Sequence, residues 1–371
     1  MRRNIFLALA LLLLAPRAAP WAAESRYGAD ANDTGNPIGG GKGYSRIVTA
    51  GDVRVSTAEQ LIAALKAARR GQVVFVAAAQ LDLSGAPPLQ VPEGVTLAGN
   101  RGHNGAPGPL LKFNHPGKSG ITALAGSRVT GLRLRGGEGP AITAEGKRAE
   151  KKSGAIAIAA RGDRVEVDNC EIFEFHHSGV NVQARETHVH HCDLHDIHAY
   201  PVVVGDKAGL PVLIEANVIR YTWHAVAGTG KPGTGYEARF NIVREASPKV
   251  YHDYNLGRNT FAFDMHEYRP ALPAKWLAAT RVHVHHNTVL DLDEGRGIAP
   301  PSPGVVIRGI PLEGVEVHHN WFVHHADPQR IFQQRNATGN CCVHDNVHGP
   351  DRKPVPEDLF KKNAERVIIA P

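Results

Sequence analysis

The sequence predicts an all-β protein, a right-handed parallel β-helix of about 23 residues per coil with an N-terminal capping helix, on three observations. A phrase of the form apolar-x-x-(Asn or Cys)-x-apolar recurs along the chain, each recurrence is followed by a second short β-rich segment, and an amphipathic segment precedes them all. Short strands at a regular period, separated by turns, are typical of a solenoid in which each coil buries its inward side chains on the next. The Asn or Cys of the phrase falls at Cys170, Cys192, Asn217, Asn241, Asn287, Asn320 and Asn346.

The spacing of this phrase gives the period. Four of the six intervals are 22, 25, 24 and 26 residues. We interpret the interval of 46 residues after Asn241 as two coils, and the interval of 33 residues after Asn287 as one coil with a loop. A leucine-rich repeat has a similar period but needs a leucine pattern that is absent here, and a propeller blade needs about twice the period.

The other elements follow from the same pattern. Ser56 and Glu59 form a capping box, which predicts a helix over about residues 57–70 that Gly71 ends. Such a helix would cover the exposed first coil, because the end of a solenoid needs a cap. The second strand of each coil is predicted to end at Val182, Val204, Ala227, Phe263, Ile307 and Phe332.

Together these segments resemble a known superfamily. "STAEQLIAALKAARRGQVVFV", "VPEGVTLAGNRG", "VTGLRLRG" and the repeated "VHHN" coils are similar to the pectate-lyase-like right-handed β-helix superfamily, which includes pectate lyases, chondroitinase B and β-helical alginate lyases. The resemblance covers about residues 37–348 and implies the fold. It implies a carbohydrate-active protein but does not select a substrate, since the superfamily also contains hydrolases, epimerases and adhesins.

The ends of the chain predict export. Residues 1–23 combine a basic start, an apolar core and small residues near Ala23, which is typical of a signal peptide and of a periplasmic or secreted protein. Residues 24–349 form the predicted β-helix domain, and residues 350–371 a tail or strap. Removing residues 1–23, which hold three arginines and no acid, lowers the net charge from +6 to +3. We expect an acidic polysaccharide as partner, no nucleic acid, no membrane span and a monomer.

Two ladders of side chains are interpreted as scaffold. The Asn and Cys positions share one phase beside a turn, where inward asparagines can bond to the backbone of adjacent coils. His190, His285 and His318 share an outward phase, and a stack of neutral histidines is favoured there over a metal site. Cys170 and Cys192 are predicted to be a buried, reduced pair. Alternation along a strand points the adjacent Cys341 and Cys342 to opposite faces, which opposes a disulfide between them.

A catalytic site is expected where the repeat is broken, because chemistry needs unlike groups that face one point. Residues 224–241, "HAVAGTGKPGTGYEARFN", concentrate glycines beside polar side chains in the middle of the solenoid. In-register stacking would bring His224, Asp264, His266 and Arg308 together. The glycines would let the loop carry Lys231 and Tyr236 over the same face.

The superfamily resemblance implies β-elimination on a uronate. That reaction needs a base for the C5 proton, a cation that neutralises the carboxylate and an acid for the leaving oxygen. Lys231, His224 or Tyr236 could be the base, Arg239 or Arg308 the neutraliser, and His266 the acid. Further substrate contacts are assigned to His198, Trp223, Glu237, Asp264, Arg308, Gln333 and Arg335.

Two other functions stay open at this stage. A glycoside hydrolase or an epimerase could use the same fold, and hydrolysis would need Asp264 with a second carboxyl group from Glu237, Asp253 or Glu267. A non-catalytic protein could bind glycan and capture Zn²⁺ or Cu²⁺ through its histidines. No cofactor is required by these residues; Ca²⁺ is an alternative, although the acids of a pectate-lyase calcium site are lacking.

Overall fold

The computed structural model describes residues 27–141, 153–244, 261–268, 276–290 and 303–369. The predicted signal segment 1–23 and Asp253 lie outside the described residues. Each coil contributes one strand to each of three long sheets, in the chain order first, third, second sheet. Neighbouring strands are parallel and in register, as a parallel β-helix requires, and the predicted fold class is confirmed.

The strands are as follows. The first sheet holds Val53–Val55, Val73–Val76, Thr96–Ala98, Arg128–Thr130, Glu166–Asp168, Thr187–His190, Val212–Glu215, Gly235–Arg239, Arg281–His285, Gly314–His318 and Cys341–His344. The second sheet holds Leu89–Val91, Ser119–Ala123, Ile156–Ala160, Ser178–Val182, Tyr200–Val204, His224–Gly228, Phe261–Met265, Val305–Ile307 and Phe332–Gln334. The third sheet holds Gln80–Asp82, Leu110–Lys112, Arg133–Arg135, Glu171–Phe173, Asp193–His195, Val218–Arg220, Ile242–Arg244, Thr288–Leu290, Trp321–Phe322, Val347–His348 and the antiparallel Lys353–Pro354.

Helical segments are short. The single α-helix of the described residues, Ala58–Ala67, packs Leu61 and Leu65 against the first coils, as a cap must. Its N-cap is Thr57, whose side chain accepts from the Gln60 N–H, so the predicted Ser56–Glu59 capping box is displaced by one residue. The 3₁₀ turns are Ala29–Ala31, His103–Gly105, Pro328–Arg330 and Glu357–Asn363. No helix among the described residues is long and apolar enough to cross a membrane.

The asparagine ladder is confirmed. Asn241 Nδ2 donates to Asn287 Oδ1 at 2.9 Å, Asn287 Nδ2 donates to Asn320 Oδ1 at 3.0 Å, and each amide also donates to backbone carbonyls. The direct bond between Asn241 and Asn287 shows that the 46-residue interval is one coil with long insertions, so its interpretation as two coils was wrong. Cys170 and Cys192 occupy the same column, completely buried and not joined by a disulfide.

The second sheet corrects the predicted register. Val204 pairs with Gly228, Gly228 with Met265 and Ile307 with Gln334, so three predicted strand ends were displaced by one or two residues. A one-residue slip moves every side chain to the other face of a sheet. Asp264 therefore lies within its strand, opposite Ala227, rather than after it.

An unpredicted N-terminal strap, residues 27–46, runs across the coils in the direction opposite to their succession. It starts at the coil of His319 and ends at that of Glu166. Its glycine run approaches the turns so closely that a Cβ on Gly40 would lie 2.3 Å from the His191 carbonyl oxygen. The strap's hydrogen bonds include Gly28 N to His319 O, Gly39 N to Ala216 O, Gly41 N to Asn169 Oδ1 and Tyr44 OH to Asp168 Oδ2.

At the other end, residues 353–363 lie against the last coils. Lys353–Pro354 adds to the third sheet, and Val355 and Phe360 are buried there. The Phe360 ring meets Phe332 edge-on at 5.7 Å. This segment therefore covers the last coils.

Candidate active site on the second sheet

Four unlike side chains meet on the second sheet around Asp264. The Arg308 guanidinium donates to both oxygens of the buried Asp264 carboxylate, at 2.9 and 2.5 Å. His266 Nε2 lies 2.8 Å from Asp264 Oδ2, at ion-pair distance although the ring is not turned into a hydrogen bond with it. His224 Nε2 lies 3.8 Å from the same oxygen. The sequence prediction placed these four residues together, and the structure does so.

The electrostatics of this group follow from burial. Burial works to raise the pKa of Asp264, but His266, His224 and Arg308 outweigh it and hold the pKa well below its usual range. Burial, which leaves His224 1% exposed, lowers the pKa of that imidazole to about 4. At neutral pH the site therefore holds an ionised Asp264 beside a neutral His224. His266 is the reachable imidazole, with 34% of its side chain exposed.

His224 is fixed by its surroundings. Its Nδ1 accepts from the Phe261 N–H at 3.0 Å, and its ring stacks on Trp223 at 5.0 Å and on Phe261 at 5.2 Å. A ring held on both faces and closed to solvent suits a positioning role. It does not suit the predicted role of base on a bulky substrate.

Tyr200 completes the site and was missed by the sequence analysis. Its ring stacks on His224 at 5.7 Å and meets His266 edge-on at 6.4 Å. Burial and the charge of Asp264 raise the pKa of Tyr200 while Arg308 opposes them, so the phenol stays protonated. Tyr200 could have been found from the strand register. When "AYPVVV" is aligned with "WHAVAG" so that Val204 pairs with Gly228, Tyr200 lies opposite His224.

A second cation lies beside Arg308. The guanidiniums of Arg308 and Arg335 lie 5.4 and 4.7 Å from the centre of the Phe261 ring. Arg335 Nη2 donates to Gln333 Oε1 at 2.8 Å, which brings two further predicted substrate contacts to this site. Burial and the charge of Arg308 lower the pKa of Arg335. An anion bound here would relieve that repulsion.

The same sheet carries a cleft of about 290 Å³ nearer the N-terminus. Arg161 and Lys207, both exposed, border it together with the amides of Asn181 and Gln183. Asn181 lies opposite Val203, Val203 lies opposite Ala227, and Ala227 lies opposite Asp264. Three steps of about 4.8 Å therefore separate Asn181 from Asp264, about 14 Å along the sheet.

Three predicted site residues lie elsewhere. Tyr236 is 1% exposed in the core, where its hydroxyl reaches only the Asp264 carbonyl at 3.4 Å, so it cannot act as base on a polymer. Arg239 and Glu237 lie on the first sheet, where Arg239 Nη2 pairs with Glu215 at 2.6 Å. Their predicted positions were wrong because the chain returns to the first sheet at Gly235 and does not cross the face of the second sheet.

The glycine-rich stretch forms a tight turn between these two sheets. Gly230, at φ +80°, has so little room that a Cβ would lie 1.9 Å from the His266 carbonyl oxygen. Lys231 follows Gly230 directly in this turn. His198, another predicted contact, is buried and its Nε2 donates to the Gly139 carbonyl at 3.2 Å.

The donor set around Asp264 bears on the Ca²⁺ alternative. Ca²⁺ takes six to eight oxygen ligands. The nearest groups are two imidazoles and one carboxylate whose oxygens both already bind Arg308. This set does not fit calcium.

The sequence matches no family model and no curated protein. Solved structures similar to it include a pectin methylesterase in complex with a hexasaccharide (10% identity, TM-score 0.43) and pectin methylesterase PemA from Erwinia chrysanthemi (9%, 0.42), each covering 86% of this chain and 94% of that chain. The PL6 family alginate lyase AlyGC is 14% identical with a TM-score of 0.29, over 86% of this chain and 53% of its own.

Proposed function

We propose that this protein is a polysaccharide lyase that cleaves an acidic, uronate-containing polysaccharide by β-elimination on the second sheet. The observation that carries the proposal is the Asp264–His266 pair, with the guanidinium groups of Arg308 and Arg335 beside it against the Phe261 ring. Such a site combines a group that can move a proton with guanidinium groups, which can bind a carboxylate.

The residues divide into roles. His266 would take the C5 proton on Nδ1 as general base, and the Asp264 carboxylate, fixed by Arg308 at 2.8 Å from His266 Nε2, would stabilise the imidazolium that forms. Arg335 would bind the uronate carboxylate and stabilise the negative charge that develops when the proton leaves. The protonated Tyr200 would return a proton to the leaving oxygen. Lys231, which follows Gly230 in the turn beside the His266 backbone, is the second candidate for the base.

The acidic substrate class is supported by charge along the sheet. The cleft with Arg161 and Lys207 lies about 14 Å from Asp264, which is about three sugar units along an extended chain. Hydrolysis is less well supported. Asp264 is closed off by Arg308, and Glu237 lies on the first sheet, so the two carboxyl groups do not flank one bond as hydrolysis requires.

A substrate panel tests the proposal. The purified protein is incubated with polyuronates and glycosaminoglycans, and unsaturated products are followed by their ultraviolet absorbance and reducing ends by a colour reaction. We expect both signals on one substrate, and loss of both in His266→Gln but not in His103→Gln, an exposed histidine in a turn near the cap. Reducing ends without absorbance, an inverted uronate without cleavage, or no product would contradict a lyase.

A further inference from the structure

The outer face of the first sheet carries a second group of chemically active side chains, which have no part in the site proposed on the second sheet. We call His283, His285 and His318 the histidine cluster; one ring nitrogen from each lies within 4.8 Å of the others. His283 and His285 are two residues apart on one strand, so they share a face. His318 lies opposite His285 on the next strand. The sequence analysis grouped His285 and His318 with His190 and overlooked His283.

Two of these rings approach each other closely through their nitrogen atoms. His283 Nε2 lies 2.7 Å from His318 Nε2. Two imidazole nitrogens this close would repel through their lone pairs unless a cation or a proton lies between them. Nitrogen ligands of Zn²⁺ lie 2.0–2.1 Å from the metal, so only small movements of these side chains would admit one.

The histidines are also supported from behind. His285 Nδ1 lies 2.8 Å from His286 Nδ1, and His318 Nδ1 lies 2.7 Å from His319 Nδ1. When Nδ1 of His285 or His318 donates its N–H to the neighbouring ring, Nε2 of the same ring has a lone pair for a metal; in the other tautomer His285 Nε2 donates to Glu237 Oε1 at 3.2 Å. Histidines that bind metals are commonly held by their other nitrogen in this way.

A carboxylate lies beside the three rings. Glu237 Oε1 lies 3.2 Å from His285 Nε2 and 3.3 Å from Arg239 Nη1, so this carboxylate already has an arginine partner.

Three other groups of described residues have a similar spacing, but an arginine competes in each. Glu166 beside His188 and His190 pairs with Arg46 and Arg128. Asp264 is taken by Arg308, as described above, and Glu171 beside His195 pairs with Arg133 at 2.5 Å. In the histidine cluster all three ligands are imidazoles, which arginine does not neutralise.

We propose that the histidine cluster is a binding site for a divalent transition-metal cation of the kind imidazole prefers, such as Zn²⁺ or Cu²⁺. Three imidazole ligands leave further positions for water. The site belongs to the first sheet and is independent of the polysaccharide site on the second.

Isothermal titration of metal-free protein with Zn²⁺, and the visible spectrum of its Co²⁺ complex, test the proposal. We expect one tight Zn²⁺ equivalent whose affinity falls by more than about 100-fold in the double variant His283→Ala/His318→Ala, because changes behind the ligands already cost 10–100-fold. The tetrahedral Co²⁺ bands should disappear as well. Ca²⁺ should neither bind there nor displace Zn²⁺.

The matched control is His188→Ala/His190→Ala, which also removes two histidines from the first sheet. It should keep the Zn²⁺ equivalent and the Co²⁺ bands. The single variant His283→Gln provides the same test if the double variant is unstable, since its side chain is partly exposed. Absence of Zn²⁺ binding in the wild type, or binding that is lost in the control and kept in the cluster variant, would overturn the proposal.

Discussion

Replacing Asp264 by Asn should destabilise the protein strongly and abolish its activity. The carboxylate is 0% exposed and binds Arg308 through both oxygens, while His266 and His224 face it. An amide of the same size leaves the Arg308 charge in place without a partner. Breaking a buried ion pair from one side costs about 3–5 kcal/mol, which we expect as the loss in free energy of unfolding.

The chain provides a matched control in Asp168. This carboxylate is also 0% exposed and accepts from Arg128 at 2.8 and 2.6 Å, but it lies on the first sheet beneath Tyr44 of the strap. Asp168→Asn should cost a similar free energy of unfolding. It should retain turnover at a temperature where both variants are folded.

Urea unfolding and turnover on the substrate that the panel identifies are the two assays. The pH dependence gives a third, because the pKa of Asp264 is depressed in the folded state. Its stabilisation is present above the unfolded pKa of about 3.9 and is lost as the pH falls below that value, and Asp264→Asn should lack this loss. A cost below about 1 kcal/mol, or equal loss of turnover in both variants, would refute this reasoning.

Two further predictions concern the strap and the histidines. Gly40→Ala should lower the free energy of unfolding by about 1–3 kcal/mol more than Gly35→Ala in urea unfolding, because the two glycines have nearly the same φ, +68° and +69°, but only Gly40 meets a neighbour within 4 Å; equal costs would contradict the tight approach of the strap. In an NMR titration His224 should change protonation near pH 4, where burial puts its pKa, and His195 near pH 9, because Asp196 and Glu171 raise its pKa against burial. Stability due to a neutral His224 is therefore lost as the pH falls from 6.5 through 4, and stability due to a charged His195 is lost as the pH rises through 9; similar midpoints for the two rings would contradict the burial described above.

The sequence predicted what repeats once per coil. Asn241, Asn287 and Asn320 mark successive coils because each must satisfy the same turn backbone, so the ladder and the period are visible in the letters alone. The group of His224, Asp264, His266 and Arg308 could be predicted because these four residues differ from one another at positions where the repeat would place similar residues.

The remainder depended on features without a period. The second strand has no marker residue like the asparagine, so its register was predicted wrongly, which hid Tyr200. Tyr236 and Arg239 were misplaced because the chain returns to the first sheet at Gly235. The strap was missed because it binds turn carbonyls far along the chain, as Gly39 does at Ala216. Contacts of that kind leave no pattern in sequence spacing.

The most direct test of the central claim is the affinity for a saturated oligouronate of two variants with equal loss of charge. Arg161→Gln/Lys207→Gln removes two exposed cations from the second sheet, and Arg54→Gln/Arg281→Gln removes two from the first. If the polysaccharide lies along the second sheet, calorimetry should show weaker binding by about tenfold or more, 1.4 kcal/mol, in the first variant and binding close to wild type in the second. Equal weakening in both, or weakening confined to the first-sheet variant, would contradict the claim.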